Sequence, residues 1–460
     1  MIGVDGTIKA GTFKERFACP ASMRQSCGAQ GPGMRVAAAL YAPPPCALAC
    51  IRPIKGRAAR AEPQVENVPL TGEDATIDPA DEGFWGRIRG QYEVSPEFVN
   101  LENGFFSVQA KPVREAFEGY NRMVNAETAH FYRRTYPDRQ ADIIRQLAAF
   151  TGAAEDELLI TRNATEAMNI LIQGYPFVAG DEVVLGDHDY DAVLATFEMV
   201  RAHKGLAFNR VRLPLHPDSD DEIVGLYERA ITPRTRVLLL THMIHTTGHV
   251  LPVARIAAMA RRHGVDVMVD AAHSFAQVFD RIPDLGADFV AVNLHKWLGA
   301  PLGVGLLRIR KDRIADIAPL YGDATFPPGD IRRLGHFGTS PAGPVLAIAD
   351  ALAFHRSIGA ANKEARLRYL KNRWVDAVAG LDPIALLTPR AAERSCAIAA
   401  FRIKGMASKD VVDRLFTEHR IFTVERTIDG GTGVRVTPHL YNGPEDLDRL
   451  VEALKRLVKA

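Results

Sequence analysis

The chain has 460 residues, of which 47% are hydrophobic and 24% are charged, and its formal net charge is +1. This composition is typical of a globular protein that is long enough for two domains and a large core. The near-neutral charge gives no support for a nucleic-acid or acidic-membrane partner. In addition, no apolar run reaches the roughly 18 to 20 residues that a membrane-spanning helix requires.

Residues 1–80 are predicted to be a disordered extension. Gly, Pro, Ala and Arg dominate this stretch, and no helical or strand period persists in it. Cys46 and Cys50 are spaced like a metal or redox pair, but the surrounding stretch offers no further ligands. We therefore favour the unstructured extension over a metal site.

An export signal is the alternative interpretation of the same region. An apolar run, 36–51, precedes Ala59-Arg60-Ala61, which is similar to a small-x-small cleavage site, but Pro43-Pro44-Pro45 interrupts the run. Cys396 is the one cysteine that follows the extension, which fits a reducing compartment. A cytoplasmic location is therefore expected, with periplasmic export as the alternative.

Globular sequence begins at Asp81. An amphipathic helix is predicted at 84–88, and a strand from Phe98 enters a polar turn at Asn103-Gly104. Two further helices are predicted at 112–129 and 138–151.

The next unit combines a short strand, Leu158–Ile160, with a helix that starts around Asn163-Ala164-Thr165. Small and hydroxyl residues at a helix N-terminus leave N–H groups free at the positive end of the helix dipole, which is a binding site for a dianion. The alternative is an ordinary N-cap at Asn163 or Thr165, with Glu166 in the first turn.

Strand and helix patterns alternate from 158 to 309, which predicts an α/β fold with a doubly wound, mainly parallel sheet. Ligands of such sheets bind at the carboxyl ends of the strands. Polar residues recur at the ends of these predicted strands, and they are Thr165, Tyr190, His245, Asp270, His273 and Lys296.

Two of these residues indicate a specific chemistry. Lys296 follows the apolar run 289–292, and Asp270 ends the apolar run 265–269. A desolvated lysine loses its proton near neutral pH and forms Schiff bases. Such a lysine together with an aspartate for a pyridinium nitrogen is the arrangement that binds pyridoxal 5'-phosphate (PLP).

Residues 81–340 are predicted to form a large domain whose segment 81–110 lies near the small domain. Residues 341–460 are predicted to form a linking helix and a small C-terminal α+β domain. In this last part helices are expected at 341–355, 362–378, 409–418 and 444–458, with strands near 397–401 and 433–436.

The order and spacing of these motifs resemble the class V aminotransferase family of PLP enzymes, which has fold type I. Lys296 lies 26 positions after Asp270 (296 − 270), within Asp270-Ala271-Ala272-His273 and His295-Lys296-Trp297. The Asn-x-His-Lys-Trp form of the lysine motif is similar to that of isopenicillin N epimerase-like enzymes. The resemblance covers roughly residues 82–460.

The resemblance implies a cofactor role for many of these residues. PLP would be attached to Lys296, and Asp270 would keep the pyridine nitrogen protonated. The cofactor phosphate would be bound by Ala164, Thr165, Asn293, His295 and, across the interface of a homodimer, Thr339.

The resemblance also implies contacts with the cofactor ring and the substrate. Related cysteine desulfurases carry His-His where this chain has Tyr190-Asp191, so Tyr190 is the expected stacking residue, with His188 second. His245 and His273 would lie near the phenolic oxygen. Asn103 would approach the active site, and Arg435 would bind the α-carboxylate through its planar fork; a surface salt bridge is the alternative for Arg435.

The expected function is therefore that of a PLP-dependent enzyme acting at the α carbon of an amino acid, by epimerase-like or aminotransferase chemistry. A C–S β-lyase is the second candidate, and a PLP-binding regulatory protein without turnover is the third. Cysteine desulfurases carry a nucleophilic cysteine shortly before the carboxylate arginine, and 422–433 contains none. Persulfide-forming desulfurase activity is therefore not expected.

Arg133, Arg134, Arg332 and Arg333 leave two interpretations open. They could form a second anion site for an acidic substrate side chain, or they could be solvated surface charges, and the second interpretation is favoured.

Overall fold

The computed structural model describes residues 76–459, so the predicted extension to residue 75, the pair of Cys46 and Cys50 and the export signal lie outside the described residues. The strands are β1 (Val99–Asn100), β2 (Leu158–Thr161), β3 (Glu182–Gly186), β4 (Ala207–Val211), β5 (Thr235–Thr241), β6 (Asp266–Asp270), β7 (Phe289–Asn293), β8 (Gly305–Ile309), β9 (Ile384–Leu386), β10 (Ala399–Ile403), β11 (Ile421–Phe422), β12 (Val424–Ile428) and β13 (Gly431–Val436).

The helices are α1 (Glu82–Arg89), α2 (Lys111–Arg134), α3 (Tyr136–Thr151), α4 (Ala164–Gly174), α5 (Asp191–Lys204), α6 (Asp220–Ala230), α7 (Val253–Arg262), α8 (Ala342–Leu346), α9 (Ile348–Ile358), α10 (Ala360–Val378), α11 (Ser408–His419) and α12 (Pro444–Leu457). Within residues 76–459, no helix combines the length and the apolar character needed to cross a membrane.

A seven-stranded sheet forms the centre of the fold, in the order β2-β8-β7-β6-β5-β3-β4. Five neighbouring strands of this sheet, β7, β6, β5, β3 and β4, are parallel. Strand β8 is antiparallel to both β7 and β2. The mainly parallel α/β sheet expected for fold type I is therefore confirmed.

Two separate apolar cores cover the two faces of this sheet. On β7, Val290 and Val292 belong to one core and Phe289 and Ala291 to the other. Side chains alternate between the faces of a strand, so a strand with helices on both faces is apolar throughout. This explains why the sequence shows continuous apolar runs here instead of an alternating pattern.

The C-terminal part contains a four-stranded sheet in the order β12-β13-β10-β9, with antiparallel neighbours throughout. This sheet and helices α10, α11 and α12 contribute to a third apolar core. Strand β1 pairs with β11, so the start of the globular chain contacts its C-terminal part.

Some element boundaries differ from those predicted. Helix α2 continues to Arg134, beyond the predicted end at 129, and Thr128 interrupts it with a positive φ of 56°. The helix predicted at 341–355 is two helices, α8 and α9, that meet at Ala347. The strand predicted from Phe98 is only two residues long, because the chain after Asn100 bonds in turn to Phe422 and Thr437.

Gly305 permits a close approach between the sheet and helix α4. A Cβ at this position would lie 2.7 Å from both Cα and C of Asn163 and 2.9 Å from the carbonyl oxygen of Val292. These are backbone atoms, so the neighbours cannot move aside as a flexible side chain would. The N-terminus of α4 therefore reaches its position only with glycine at the start of β8.

We expect Gly305→Ala to lower the free energy of unfolding by about 1–3 kcal/mol, because the added methyl group overlaps backbone atoms. Denaturant unfolding measures this change. Gly329→Ala is the matched control, since a Cβ there meets nothing within 4 Å, and its effect should stay within about 1 kcal/mol. Equal destabilisation of both variants would contradict the proposed role of Gly305.

Candidate active site

Lys296 and Asp270 lie at the ends of two neighbouring parallel strands. Asp270 is the last residue of β6, and Lys296 follows the end of β7, which pairs with β6. The Nζ of Lys296 lies 2.8 Å from Nε2 of His273, three residues after Asp270. The structure thus brings together the lysine, the aspartate and the histidine that the sequence singled out.

Burial changes the proton affinity of the lysine. The pKa of Lys296 is lowered from 10.5 to about 7, mainly by desolvation, and the nearby cations Arg435 and Arg426 contribute to the lowering. The carboxylates of Asp270 and Glu102 act in the opposite direction. A large share of the Lys296 amine is therefore neutral at neutral pH, as a nucleophile or a general base requires.

Asp270 has one carboxylate oxygen in use and one available. Its Oδ1 accepts the N–H of Ala272 at 2.9 Å, whereas no residue between 76 and 459 donates a hydrogen bond to Oδ2. Burial raises the pKa of Asp270, and the hydrogen bond from Ala272 and the charge of Lys296 partly offset this. A protonated ring nitrogen at Oδ2 would stabilise the ionised carboxylate, which fits a pyridine cofactor.

Two neutral imidazoles lie beside the lysine. The rings of His245 and His273 are inclined by 23°, with 6.3 Å between their centroids. Burial lowers the pKa of His273 and brings that of His245 to about 3. The Nδ1 atoms of both rings are buried and find no hydrogen-bond partner in the described part of the chain. Buried polar atoms are normally paired, so these atoms fit a polar ligand.

Tyr190 and His188, the two candidates for ring stacking, occupy different surroundings. Tyr190 precedes α5, is 42% exposed, and its ring lies edge-on to His245 with 5.4 Å between centroids. The Nε2 of His188 instead lies 3.2 Å from the hydroxyl of Tyr227. Tyr190 has the freer ring, and its stacking role stays a prediction.

The N-terminus of α4 has an ordinary N-cap and also leaves an N–H group free for an anion. Asn163 is the N-cap, and its side chain accepts the N–H of Glu166 at 2.8 Å. The N–H of Ala164 donates to Oδ1 of Asn293 at 2.8 Å. No acceptor among the described residues takes the N–H of Thr165. A phosphate would therefore find a free N–H at Thr165, whereas at Ala164 it would compete with Asn293.

His295 has a defined tautomer. Its Nδ1 lies 3.0 Å from the carbonyl oxygen of Val304, so Nδ1–H is the donor. Nε2 of the neutral ring is then an acceptor, and it donates to a phosphate only when the ring is protonated. Burial lowers the pKa of His295, so its predicted phosphate contact requires the charge of the phosphate itself.

Arg435 is buried and paired instead of open. Only 2% of its side chain is exposed, and Nε and Nη2 donate to the carboxylate of Glu102. Nη1 donates to the carbonyl oxygen of His245 at 2.8 Å. The guanidinium packs on Gly104, where a Cβ would lie 2.5 Å from Cζ. The contact between Arg435 and a substrate carboxylate stays a prediction. Glu102 already accepts hydrogen bonds from the donors that such a carboxylate would use.

Asn103 is an anchor beside this pair. Its amide donates to the carbonyl oxygen of Thr437 at 2.7 Å and accepts the hydroxyl of Tyr441 at 2.6 Å, and its N–H donates to the Thr437 hydroxyl at 2.6 Å. These bonds hold the Gly104 turn against Arg435. The substrate contact predicted for Asn103 stays a prediction.

The remaining predicted residues lie outside this cluster of contacts. Thr339 is exposed in the loop before α8, so its predicted contact across a homodimer stays a prediction. Arg332 pairs with Asp330, and Arg333 donates to the carbonyl oxygen of Ile317. These contacts give no support to a second anion site formed by the arginines.

Sequence reasoning missed three charged residues of the site. Glu102 forms an ion pair with Arg435, and Arg426 lies within ion-pair distance of the same Glu102 carboxylate. Asp189 is buried between β3 and β5, where it accepts the N–H of Gly186 and the hydroxyl of Thr241, both at 2.7 Å, and burial raises its pKa to about 7. Asp189 ends a predicted strand and could have been found by that signal, whereas Glu102 and Arg426 carry no such local signal.

A cavity of about 550 Å³ opens beside these residues. It lies between the loops that follow β3 and β5 and the hairpin of β12 and β13. Its walls include His188, Asp189, His245, Arg212 and Arg426. The cavity is large enough for a small polar molecule. His245 on its wall connects it to Lys296, because the His245 ring lies beside that of His273, which contacts the lysine amine.

Comparison with known proteins shows similarity in both sequence and fold. The chain is 31% identical to isopenicillin N epimerase of Amycolatopsis lactamdurans over 394 residues, which cover 82% of this chain and 99% of that protein. It is 27% identical to a probable cysteine desulfurase of Halobacterium salinarum, with 78% and 91% covered. The apo structure of a cysteine desulfurase from Thermococcus onnurineus NA1 superposes with a TM-score of 0.74 at 21% identity, covering 84% of this chain and 100% of that chain.

The family model of the class-V aminotransferases matches residues 110–450, which include the helix α4 turn, Asp270, Lys296 and Arg435. The free N–H of Thr165, the available oxygen of Asp270 and the buried amine of Lys296 fit the phosphate, ring nitrogen and aldehyde of one cofactor. The chain therefore belongs to the class-V aminotransferase family, and its cofactor is pyridoxal 5'-phosphate.

Proposed function

We propose that this protein is an enzyme that acts at the α carbon of a small amino acid substrate, by epimerase-like or aminotransferase chemistry. The observation that carries the proposal is the buried amine of Lys296, 2.8 Å from His273 and beside Asp270, with its pKa lowered to about 7. The identity of 31% to an isopenicillin N epimerase supports the epimerase-like branch.

PLP, when bound, supplies an aldehyde for the substrate amine and a ring that accepts electrons from the α carbon. Lys296 is the base that takes the α proton, because its amine is neutral near pH 7. His273 lies within hydrogen-bond distance of that amine and can hold or exchange its proton. Asp270, whose Oδ1 accepts the N–H of Ala272, would hold a proton on the ring nitrogen through its other oxygen.

The branch that follows proton removal depends on where the proton returns. Return to the opposite face of the α carbon would give an epimer, and transamination would require the proton to be delivered to the bound PLP instead. Loss of a β substituent instead gives a C–S lyase, and the desulfurase relatives support this second candidate. A PLP-binding protein without turnover is less well supported, because the base at Lys296 and the guanidinium of Arg435 are both in place.

The persulfide branch of C–S chemistry has little support. Cys396 lies before β10, fully buried, and burial raises the pKa of its thiol to about 12. Its Sγ lies 3.9 Å from the carbonyl oxygens of Gln277 and Glu364. A neutral, enclosed thiol is a poor nucleophile. The interval from Phe422 to Gly433 runs from the end of β11 through β12 into the start of β13, and it has no cysteine.

We further propose that the enzyme is a homodimer in which Thr339 of one subunit reaches the cofactor phosphate of the neighbouring subunit. The exposure of Thr339 in the loop before α8 supports this arrangement. Shared sites of this kind require two-fold symmetry between the subunits.

The capture of PLP by the apoprotein should depend on pH through Lys296. We expect the rate to rise as the pH passes about 7 and then to level off, because the neutral amine is the reactive form and its pKa is lowered from 10.5. The visible absorption of bound PLP measures the rate. Nα-acetyl-lysine is the control amine, whose rate should keep rising toward its ordinary pKa. A continued rise for the protein would show that Lys296 is not desolvated.

Exchange of the α proton tests the proposed base. The holoenzyme in D₂O is expected to incorporate deuterium at the α carbon of its substrate, and Lys296→Ala is expected to slow this by about 100-fold or more. Proton NMR over a panel of amino acids measures the exchange and identifies the substrate class. Lys311→Ala, which removes a lysine paired with Asp156 at the surface, should change nothing. If no amino acid exchanges, the proposed function is wrong.

Cys396→Ala separates the two kinds of C–S chemistry. Because the thiol is buried and protonated, we expect any turnover to stay within about two-fold of wild type. Mass spectrometry of the protein after incubation with L-cysteine should find no additional sulfur on Cys396. A persulfide on this residue would restore the desulfurase interpretation.

A further inference from the structure

The buried carboxylate of Glu102 binds the guanidinium of Arg435, which is the group expected to bind the substrate carboxylate. Glu102 lies on the segment after β1, its side chain is 5% exposed, and its two oxygens accept from Nε and Nη2 of Arg435. A carboxylate bound through two parallel N–H donors is the geometry by which arginine recognises a carboxylate ligand. Glu102 therefore makes the contacts that the α-carboxylate of an amino acid would make.

The charges around this pair do not balance. Arg426 on β12 brings a second guanidinium, with Nη2 at 3.7 Å from the same carboxylate of Glu102. Two arginines thus face one carboxylate, and both lower the pKa of Lys296. Two neighbouring acids on the hairpin have cations of their own, since Asp429 pairs with Arg212 and Glu425 lies near Lys409. The cluster of Glu102, Arg435 and Arg426 therefore has room for one more anion.

Arg435 also has contacts that do not depend on Glu102. Its third donor group, Nη1, binds the carbonyl oxygen of His245 at 2.8 Å, and Gly104 packs on the guanidinium plane. Neither contact involves Glu102. These contacts would keep the guanidinium of Arg435 in position if Glu102 moved away.

We infer that Glu102 is an internal competitor that holds Arg435 in the substrate-free enzyme and that the substrate α-carboxylate displaces it toward Arg426. This inference rests on the proposed function and adds a specificity residue to it. Arg426 makes the displacement possible, because it is one-third exposed and already lies within ion-pair distance of Glu102. A charge that moved away from Arg435 without a second cation would remain buried and unpaired, at a high free-energy cost.

Under this inference, only a ligand that carries an α-carboxylate displaces Glu102 from Arg435. An amine without a carboxylate gains nothing at Arg435, because Glu102 remains bound there. A ligand with an α-carboxylate replaces Glu102 and restores charge balance through the pair of Glu102 and Arg426. The alternative is a permanent ion pair, in which Glu102 stays on Arg435 and Arg426 alone binds the substrate anion.

The test compares two probes, L-alanine and L-alaninamide, by titrating the visible absorption of the holoenzyme. In Glu102→Gln the neutral amide competes weakly for Arg435, so we expect the Kd of L-alanine to fall about tenfold. The Kd of L-alaninamide should stay within about two-fold, because it lacks the carboxylate. The ratio of the two Kd values is the readout, and a general loss of structure would move both values together.

Glu425→Gln is the matched control, since it removes the same charge from the residue before Arg426, and it should leave the ratio unchanged. If Glu102→Gln does not fold, Glu102→Asp replaces it, because the shorter side chain cannot reach both donors and the same direction of change is expected. An unchanged ratio in the Glu102 variant, with a wild type that responds to both probes, overturns the inference alone. A wild-type spectrum that responds to neither probe counts against the proposed function and against the inference with it.

A double-mutant cycle separates displacement from a permanent ion pair. If Arg426 receives the displaced Glu102, Arg426→Gln should weaken L-alanine binding in the wild-type background and have little effect in Glu102→Gln, where no charge is displaced. If Arg426 binds the substrate anion directly, the two substitutions should act independently. Independent effects would overturn the inference.

Discussion

The desolvation of one amine is the constraint on which the rest of the site depends. The pKa of Lys296 is lowered to about 7, and burial at the edge of the sheet is the largest cause of this lowering. The parallel strands provide that burial, because β6 and β7 end side by side and deliver Asp270, His273 and Lys296 to one place. Two apolar cores hold these strands in position.

The electrostatics around the lysine support the same state. Arg435 and Arg426 oppose the protonation of Lys296, and Asp270 and Glu102 favour it. Two histidines of the site, His245 and His273, are kept neutral by burial. Neutral imidazoles relay a proton without adding a fixed charge, so the balance is set by the carboxylates and guanidiniums. A ligand that changes the charge or position of one of these groups therefore also changes the pKa of Lys296.

Sequence reasoning found what local patterns encode. Apolar runs that end in a polar residue identified Asp270 and Lys296, and the alternation of strands and helices identified the sheet that brings them together. It could not find contacts between distant segments. Asn293 binds the N–H of Ala164 from 129 residues away, and Glu102 binds Arg435 from 333 residues away. Neither pairing leaves a period or a spacing in the sequence, because each depends on how the folded segments meet.

The pairing of β1 with β11 has a consequence for the order in which the protein becomes functional. Residues 99–100 are synthesised before residues 421–422 and Arg435, which lie more than 300 positions later in the chain. Glu102 and the Gly104 turn therefore have no guanidinium to contact until Arg435 has been made. The nascent chain can form the central sheet with Lys296 first. The part of the site around Arg435 forms only after β13 has been made, so a chain terminated before β11 would retain Lys296 and lack both Arg426 and Arg435.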